Sequence, residues 1–534
     1  MSPSDQSSPE TSAAYDETPY PSGAFPQTHP NRLAAMARLF GVPAADPSKA
    51  RVLELGCADG TNLLPMAEQA PGATFLGIDL SKVQIASGLQ AVAAAGLKNV
   101  ELRHQDILDF PASEGKFDYI IAHGVFSWVP DAVREKILAI CADHLAENGI
   151  AYISYNAHPG WNLRRSLRDM MLFHTKNITD PKAKVHQARA LLAFISESVP
   201  TENNIYGQLL KQELGFMSGQ PDNFLLHDIL GAENTPFYFH EFIGQAARHG
   251  MQYLSEPNIA EMLTANFSDK IRATLGQLNN QIVAQEQYMD FIRNRSFRQT
   301  LLCRANVAIQ RNVTPASLSR FAFRSHLRNS TGPIELMPGV AVGFVTGGGT
   351  QISSADAFVK ALLWSLLETR GASAISYGDL LATVRSRSRA FLGEVPSNRD
   401  EIDEVTLQTN LVNLFAKGLV DIYAEPVKIR TDVPEKPAVG ALVCYQALHA
   451  QHIINRMHTS IPADLPSRYI IAACDGTRTH DEILSELVAR VQEGKLQVNQ
   501  GSAQIIDEAK IRDSLRPAVE TGLVSLANGG FLAP

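Results

Sequence analysis

Cysteine is scarce in this chain. Five cysteines among 534 residues, at positions 57, 141, 303, 444 and 474, have neither the close pairing of a zinc knuckle nor the density of a disulfide-stapled scaffold. The 15 histidines supply no H-E-x-x-H or similar helical pair, so no structural metal is expected. An apolar run long enough to span a bilayer is lacking. The N-terminal MSPSDQSSPETSAAYDE has neither the basic start nor the apolar stretch of a secretory leader, and the cytoplasm is the expected compartment. Excess positive charge is missing too. With 47 Lys+Arg against 55 Asp+Glu, the formal net charge is -8, which argues against general attraction to nucleic acid.

What is present is ordinary for a folded enzyme, with 45% hydrophobic and 19% charged residues. At this length a single core divides, and several units are expected. The informative stretch is RVLELGCADGTNLLPMAEQAPGATFLGIDLS, residues 51 to 81. Val52, Leu53 and Leu55 mark a strand suited to a sheet covered on both faces. Gly56 and Gly60 then permit a tight turn into a helix over Asn62 to Ala70, and a second strand ends at Asp79. A dinucleotide fingerprint has a similar order, but here only two glycines occur and the turn carries carboxylates, Glu54 and Asp59, where a pyrophosphate would meet like charge. Acids at that place suit a ligand with cationic groups, and S-adenosylmethionine has an ammonium and a sulfonium. Asp79 can accept from both ribose hydroxyls.

The rhythm continues. Asp118 to Ala122 and Ala151 to Tyr155 read as strands, the second after a break at Asn148 and Gly149, with a helix over Asp131 to Leu145 between them. Alternation of this kind predicts an α/β fold with a doubly wound, largely parallel Rossmann-like sheet and ligands at the carboxyl ends of its strands.

On ELGCADG, Asp79, HQDILDF and FDYIIAHGVFSWVP the chain resembles the class I S-adenosylmethionine-dependent methyltransferases. The resemblance implies that Glu54, Gly56, Cys57, Asp59 and Gly60 surround the methionine part of the cofactor, and Asn62 is a further cofactor-binding candidate. It implies further that Asp79 holds the ribose, with Leu80 beside it among the cofactor-binding candidates, that Asp106 accepts from the adenine amine beside Ile107, and that His123, Gly124 and Val125 lie under the cofactor. Phe126 and Trp128 then face the substrate. The product of transfer is S-adenosylhomocysteine. Before the first strand, Tyr15, Tyr20 and Phe25 interrupt a polar segment that leads into a helix over Asn31 to Phe40. Tyr20 is expected either to fold over the cofactor as a lid or to pack against the sheet.

Residues 156 to 230 leave the strand and helix alternation, and amphipathic helices there predict an insertion standing over the substrate edge. A helix over Phe237 to His249, a strand over Met251 to Glu256 and a last strand over Phe297 to Ala305 carry the methyltransferase domain from residue 45 to about 312, after an N-terminal segment at 1–44. Beyond it, ELMPGVAVGFVTGGG reads as paired strands and TLQTNLVNLFAKGLVDIYAEP as helix, glycine and strand. IRDSLRPAVETGLVSLA reads as the same phrase again. Two mainly helical, winged-helix-like units are therefore expected, at 313–435 with a regulatory role and at 436–534. Neither shows a basic reading stripe, so protein binding or regulation is the better fit than DNA binding.

The whole layout is similar to bacterial methyltransferases with a regulatory domain, among them the rickettsial protein-lysine methyltransferases of outer-membrane proteins. YDETPYPSGAFPQTHP, HGVFSWVP, SYNAHPGW, EQYMDFIRNRSFRQTLLC and CDGTRT carry that likeness. It implies methyl transfer to lysine side chains of a protein partner, possible ones being outer-membrane or surface proteins before export. Candidate acceptor-pocket residues are Trp128, Tyr155, Asn156, His158, Trp161, Tyr238 and Glu241. Tyr155 and Asn156 are expected to orient the amine and Trp161 to form one wall, and His158 is a candidate base. Trp161 and Tyr238 can equally cement the insertion to the sheet, and Glu241 can be an exposed helix residue. A small-molecule N- or O-methyltransferase and a cofactor-sensing regulatory protein with little turnover both stay open at this point.

Overall fold

The computed structural model describes residues 22–278, 281–330, 332–346, 349–391, 398–500, 503–504 and 507–533. A seven-stranded sheet dominates it. Its strands are β1 (Arg51–Leu55), β2 (Thr74–Asp79), β3 (Val100–His104), β4 (Phe117–Ala122), β5 (Leu145–Asn156), β6 (Met251–Ser255) and β7 (Phe297–Arg304). They lie in the order β3-β2-β1-β4-β5-β7-β6. β1 to β5 run parallel, and β7 is antiparallel to both its neighbours. The order reverses between β1 and β4, which opens a crevice at their carboxyl ends, where such sheets bind ligands.

Val52, Tyr119, Ile121, Ile150 and Tyr152 point into one hydrophobic layer and Leu53, Leu55, Ile120, Ile153 and Tyr155 into the other, the period of two expected of strands covered on both faces. β5 begins earlier than the sequence suggests. Its Asn148 and Gly149 do not interrupt the strand; the register against β4 shifts between Phe117 and Tyr119, so the extra residues are taken up as an irregularity.

Between β5 and β6 the chain builds helices Trp161–Thr175, Pro181–Ser198 and Ile205–Ser218. They enclose a separate small core around Leu167, Met171, Val185, Leu192 and Leu210. The region after β7 contains a three-stranded antiparallel sheet formed by 322–325, 375–376 and 420–423, together with helices Ala357–Leu367, Tyr377–Ser388 and Arg399–Ala416. Its Phe323, Leu362 and Leu411 belong to the same continuous core as β1 and β5. The final unit has its own core around Ile471, Ile483, Leu487, Leu515 and Leu523.

The repeated helix, glycine and strand phrase does not recur there. Glu508–Asn528 is one helix that continues through Pro517 and Gly522. Gly522 sits where Ile470 Cδ1 would lie 2.9 Å from an added Cβ, so its small size serves helix packing and not a turn. Among the described residues no helix is long and apolar enough to cross a membrane.

Candidate cofactor and acceptor site

The turn after β1 is shaped by close approach. Gly56 has φ 74, and a Cβ there would lie 2.5 Å from Val125 Cγ2, so the chain leaving β1 can meet the loop leaving β4 only without a side chain. Gly60 (φ 77) and Ala58 (φ 53) are also left-handed. These turns occupy the place where a longer helix was expected, and the helix itself is only Leu64–Gln69.

Asp79 ties that turn to β2. Its carboxylate accepts from the backbone N–H of Ala58 and of Ser81, each at 2.8 Å. Burial raises its pKa against those two bonds. Asp59 accepts from Thr61 N–H at 2.9 Å, and Asp106 from Leu108 N–H at 2.9 Å beside buried Ile107. The Leu80 carbonyl meets the His104 ring at 3.0 Å. Cys57 is buried, and burial first, then the surrounding acids, push its thiol well above the ordinary range.

Glu54 lies beneath this loop, 3% exposed. Oε1 accepts from Asn62 Nδ2 at 2.7 Å, while Oε2 is buried without a hydrogen-bond partner among the described residues. Burial pushes its pKa up to about 8. An acid with a spare buried oxygen beside glycine-opened backbone fits the cationic methionine part of S-adenosylmethionine.

On the other side of the crevice, Gly124 N–H donates to Ser154 Oγ at 2.8 Å, and His123 Nδ1 is bonded to the Tyr152 hydroxyl at 2.9 Å. Burial lowers the pKa of His123 to about 4, so the ring is neutral. Phe25 lies against it with ring centroids 3.8 Å apart. The N-terminal segment thus does cross the crevice, through Phe25 and Thr28; Tyr20 lies outside the described residues.

The acceptor-side candidates do not all converge. Tyr155 is fully buried, its ring stacked on Phe242 at 4.1 Å and its hydroxyl 3.1 Å from Thr300 Oγ1. Strand alternation explains this placement: Tyr152, Ser154 and Asn156 share one face of β5, and Tyr155 takes the other. Tyr155 therefore belongs to the core, contrary to the expectation that it orients an amine. Trp161 is 5% exposed within the core of the insertion, under Arg164, and cements that unit instead of walling a pocket. Glu241 accepts from Tyr238 N–H at 3.1 Å and caps helix Phe239–Arg248. Asn156 is buried at the carboxyl end of β5, its Nδ2 donating to Asn234 Oδ1 at 3.2 Å and its N–H to Ser127 Oγ at 2.8 Å. Trp128 follows in the next turn, with Nε1 buried and without a partner among the described residues. His158 and Tyr238 form a ring pair 4.9 Å apart. Burial lowers the His158 pKa, and its Nδ1 is buried without a partner among the described residues.

Sequence reasoning named Phe25 only as one aromatic of the N-terminal segment and missed Thr28, Tyr152, Ser154 and His458. Thr28 Oγ1 and Phe25 N–H bond the Asn62 side chain, and so does His458 from the last unit at 2.8 Å. No local motif signals partners this remote, although the unused Tyr152 hydroxyl in an apolar strand was a hint.

Sheet order, glycine turn and acid set together define a class I S-adenosylmethionine-dependent methyltransferase. Comparison with known proteins agrees. Residues 52–149 match a methyltransferase domain, 435–531 match "PKMT, C-terminal winged helix domain", and 221–304 match "Predicted methyltransferase regulatory domain". The regulatory match falls on the segment that supplies β6 and β7, not on residues 313–435. The chain is 36% identical over 517 residues to protein RP789 of Rickettsia prowazekii, covering 94% of this chain and 90% of that one. It is 42% identical over 241 residues to RP028 of the same organism, covering 45% of this chain and 96% of that one. Among solved structures it is similar to PKMT2 from Rickettsia typhi in complex with AdoHcy. The identity is 33% and the TM-score 0.86, with 97% of this chain and 100% of that one covered. The chain belongs to the family of methyltransferases that includes these rickettsial proteins.

Proposed function

We propose that this methyltransferase acts on lysine side chains of proteins. The observation that carries the reading is the likeness to PKMT2, which extends over nearly the whole chain, insertion and C-terminal unit included. Bound S-adenosylmethionine supplies an electrophilic methyl group, and in-line positioning of the acceptor provides much of the rate.

A lysine acceptor must first become a neutral amine. Burial favours loss of its proton, and Trp128, His158 and Tyr238 are aromatic groups on the segments that bond Asn156 or follow it, through Ser127, the end of β5 and Phe237. In this reading Asn156 orients the amine. The neutral His158 ring, whose Nδ1 is buried and unpaired among the described residues, takes up the proton. An outer-membrane or surface protein before its export is the partner proposed.

The test is transfer of radiolabelled methyl groups from S-adenosylmethionine to fractionated lysate. Label in discrete protein bands, located on lysine by mass spectrometry, is the expected result. Label confined to small molecules would make the protein a metabolite methyltransferase. Tight cofactor binding without transfer would make it a sensor.

A further inference from the structure

The cofactor turn is gripped from outside the methyltransferase domain. In the last unit, Asn455 Oδ1 accepts from the backbone N–H of Met457 and of Thr459. The resulting tight turn forces His458 into the left-handed region at φ 58. A non-glycine residue there is unfavourable unless its surroundings hold it. His458 is 1% exposed, and its Nε2 lies 2.8 Å from Asn62 Oδ1.

Its proton can be placed from its partners. Asn62 Nδ2 donates to Glu54 Oε1, and Asn62 Oδ1 already accepts from Phe25 N–H at 2.9 Å. The amide orientation is thereby fixed, and His458 Nε2 must be the donor. Burial first, then nearby His29, hold its pKa well below the ordinary range, which keeps the ring neutral. One asparagine thus links three segments: Glu54 on β1, the strap at Phe25 and Thr28, and the last unit.

Two further contacts fall on the same stretch. Glu68, in the helix that follows the cofactor turn, accepts from Leu442 N–H at 2.7 Å. Gly440 packs so closely there that a Cβ would lie 2.2 Å from Glu68 Oε2. Ser460 Oγ accepts from Ala24 N–H at 3.3 Å, beside the strap.

We propose that the C-terminal winged unit is a working part of the cofactor site, with His458 as a positioning residue that fixes Asn62 and, through it, Glu54 and the strap in the arrangement that binds S-adenosylmethionine. Cofactor affinity then depends on the docking of a unit whose own core lies elsewhere. The inference holds whichever acceptor the enzyme uses.

The test is calorimetric binding of S-adenosylhomocysteine to the full-length protein, with hydrogen exchange of residues 58–63 as a second readout. His458→Ala should weaken binding about tenfold, the effect of losing one buried hydrogen bond, and speed exchange across the turn. His458→Gln, which keeps a donor at similar reach, should restore affinity to within about threefold of the parent. Parental affinity in His458→Ala overturns the proposal. If that variant fails to fold, Glu68→Ala decides. It should weaken binding and loosen 58–63 although it lies outside the turn, and faster exchange in 441–449 with parental affinity would overturn the proposal.

Discussion

The two halves of the crevice are built differently. On the cofactor side the carboxylates and the amide hold backbone and neighbouring side chains: Asp79 accepts from two backbone N–H groups, Asp59 and Asp106 also accept from backbone N–H groups, and Asn62 is shared among several partners, while Glu54 Oε2 and His458 Nδ1 are buried without a partner among the described residues. On the acceptor side the groups are aromatic or only partly bonded, with Trp128 Nε1 and His158 Nδ1 buried and unpaired among the described residues. A fixed ligand is met by a frame braced through its backbone, with the Glu54 oxygen left over for the ligand. A side chain that must enter, lose a proton and leave is met by surfaces whose polar atoms are still uncommitted.

The largest effect that would break this contrast comes from the cofactor frame. Asp79→Ala removes the bond that ties the turn to β2 through Ala58 N–H and a second one from Ser81 N–H, and should weaken S-adenosylhomocysteine binding about a hundredfold in calorimetry. Undiminished affinity would show that the frame is not needed.

A second effect is the pH dependence of that frame. Glu54 has a pKa raised to about 8 by burial, above its unfolded value, so below pH 8 it is neutral and offers a cationic ligand no charge. Cofactor affinity should therefore rise with pH by up to about tenfold per unit between pH 6 and 8 and then level off. Glu54→Gln should flatten that rise. The same raised pKa stabilises the unliganded fold most at low pH, below the unfolded value, and that contribution is lost as pH climbs through about 8.

Smaller effects sharpen the acceptor side. Asn156→Ala should lower kcat while leaving cofactor affinity within about threefold, whereas Tyr155→Phe should leave turnover unchanged and cost about 1 kcal/mol in urea unfolding through its lost bond to Thr300. Reduced turnover in Tyr155→Phe would return that residue to the chemistry. Least of all, Glu241→Gln should cost about 0.5 kcal/mol or less through a weaker cap and leave kinetics alone.

The same contrast decides what was legible in the sequence. The part of the cofactor frame from Glu54 to Asp79 is close along the chain, so spacing and residue type pointed to it, whereas Thr28 and His458 reach Asn62 from too far off for either to show. The period-two pattern of β5 was equally readable, but carrying it through would have put Tyr155 on the face opposite Asn156. Trp161 and Glu241 stayed open between two readings because an aromatic at the start of a helix and an acid in a first helical turn have common structural uses, core packing and capping, that compete with chemistry. Gly522 misled for a similar reason: a glycine before Leu-Val suggested a turn, and only the neighbouring helix shows that it is a contact point.

The pairing of Asn62 with His458 spans 396 positions of sequence. A ribosome adding about 5 to 20 residues per second needs roughly 20 to 80 seconds to make the histidine after the asparagine. During that interval the emerging sheet can collapse on its apolar layers, but its cofactor loop lacks its remote support. On the proposal above, a chain truncated before His458 keeps the glycine turn, loses the hydrogen bond behind Asn62 and binds the methyl donor more weakly.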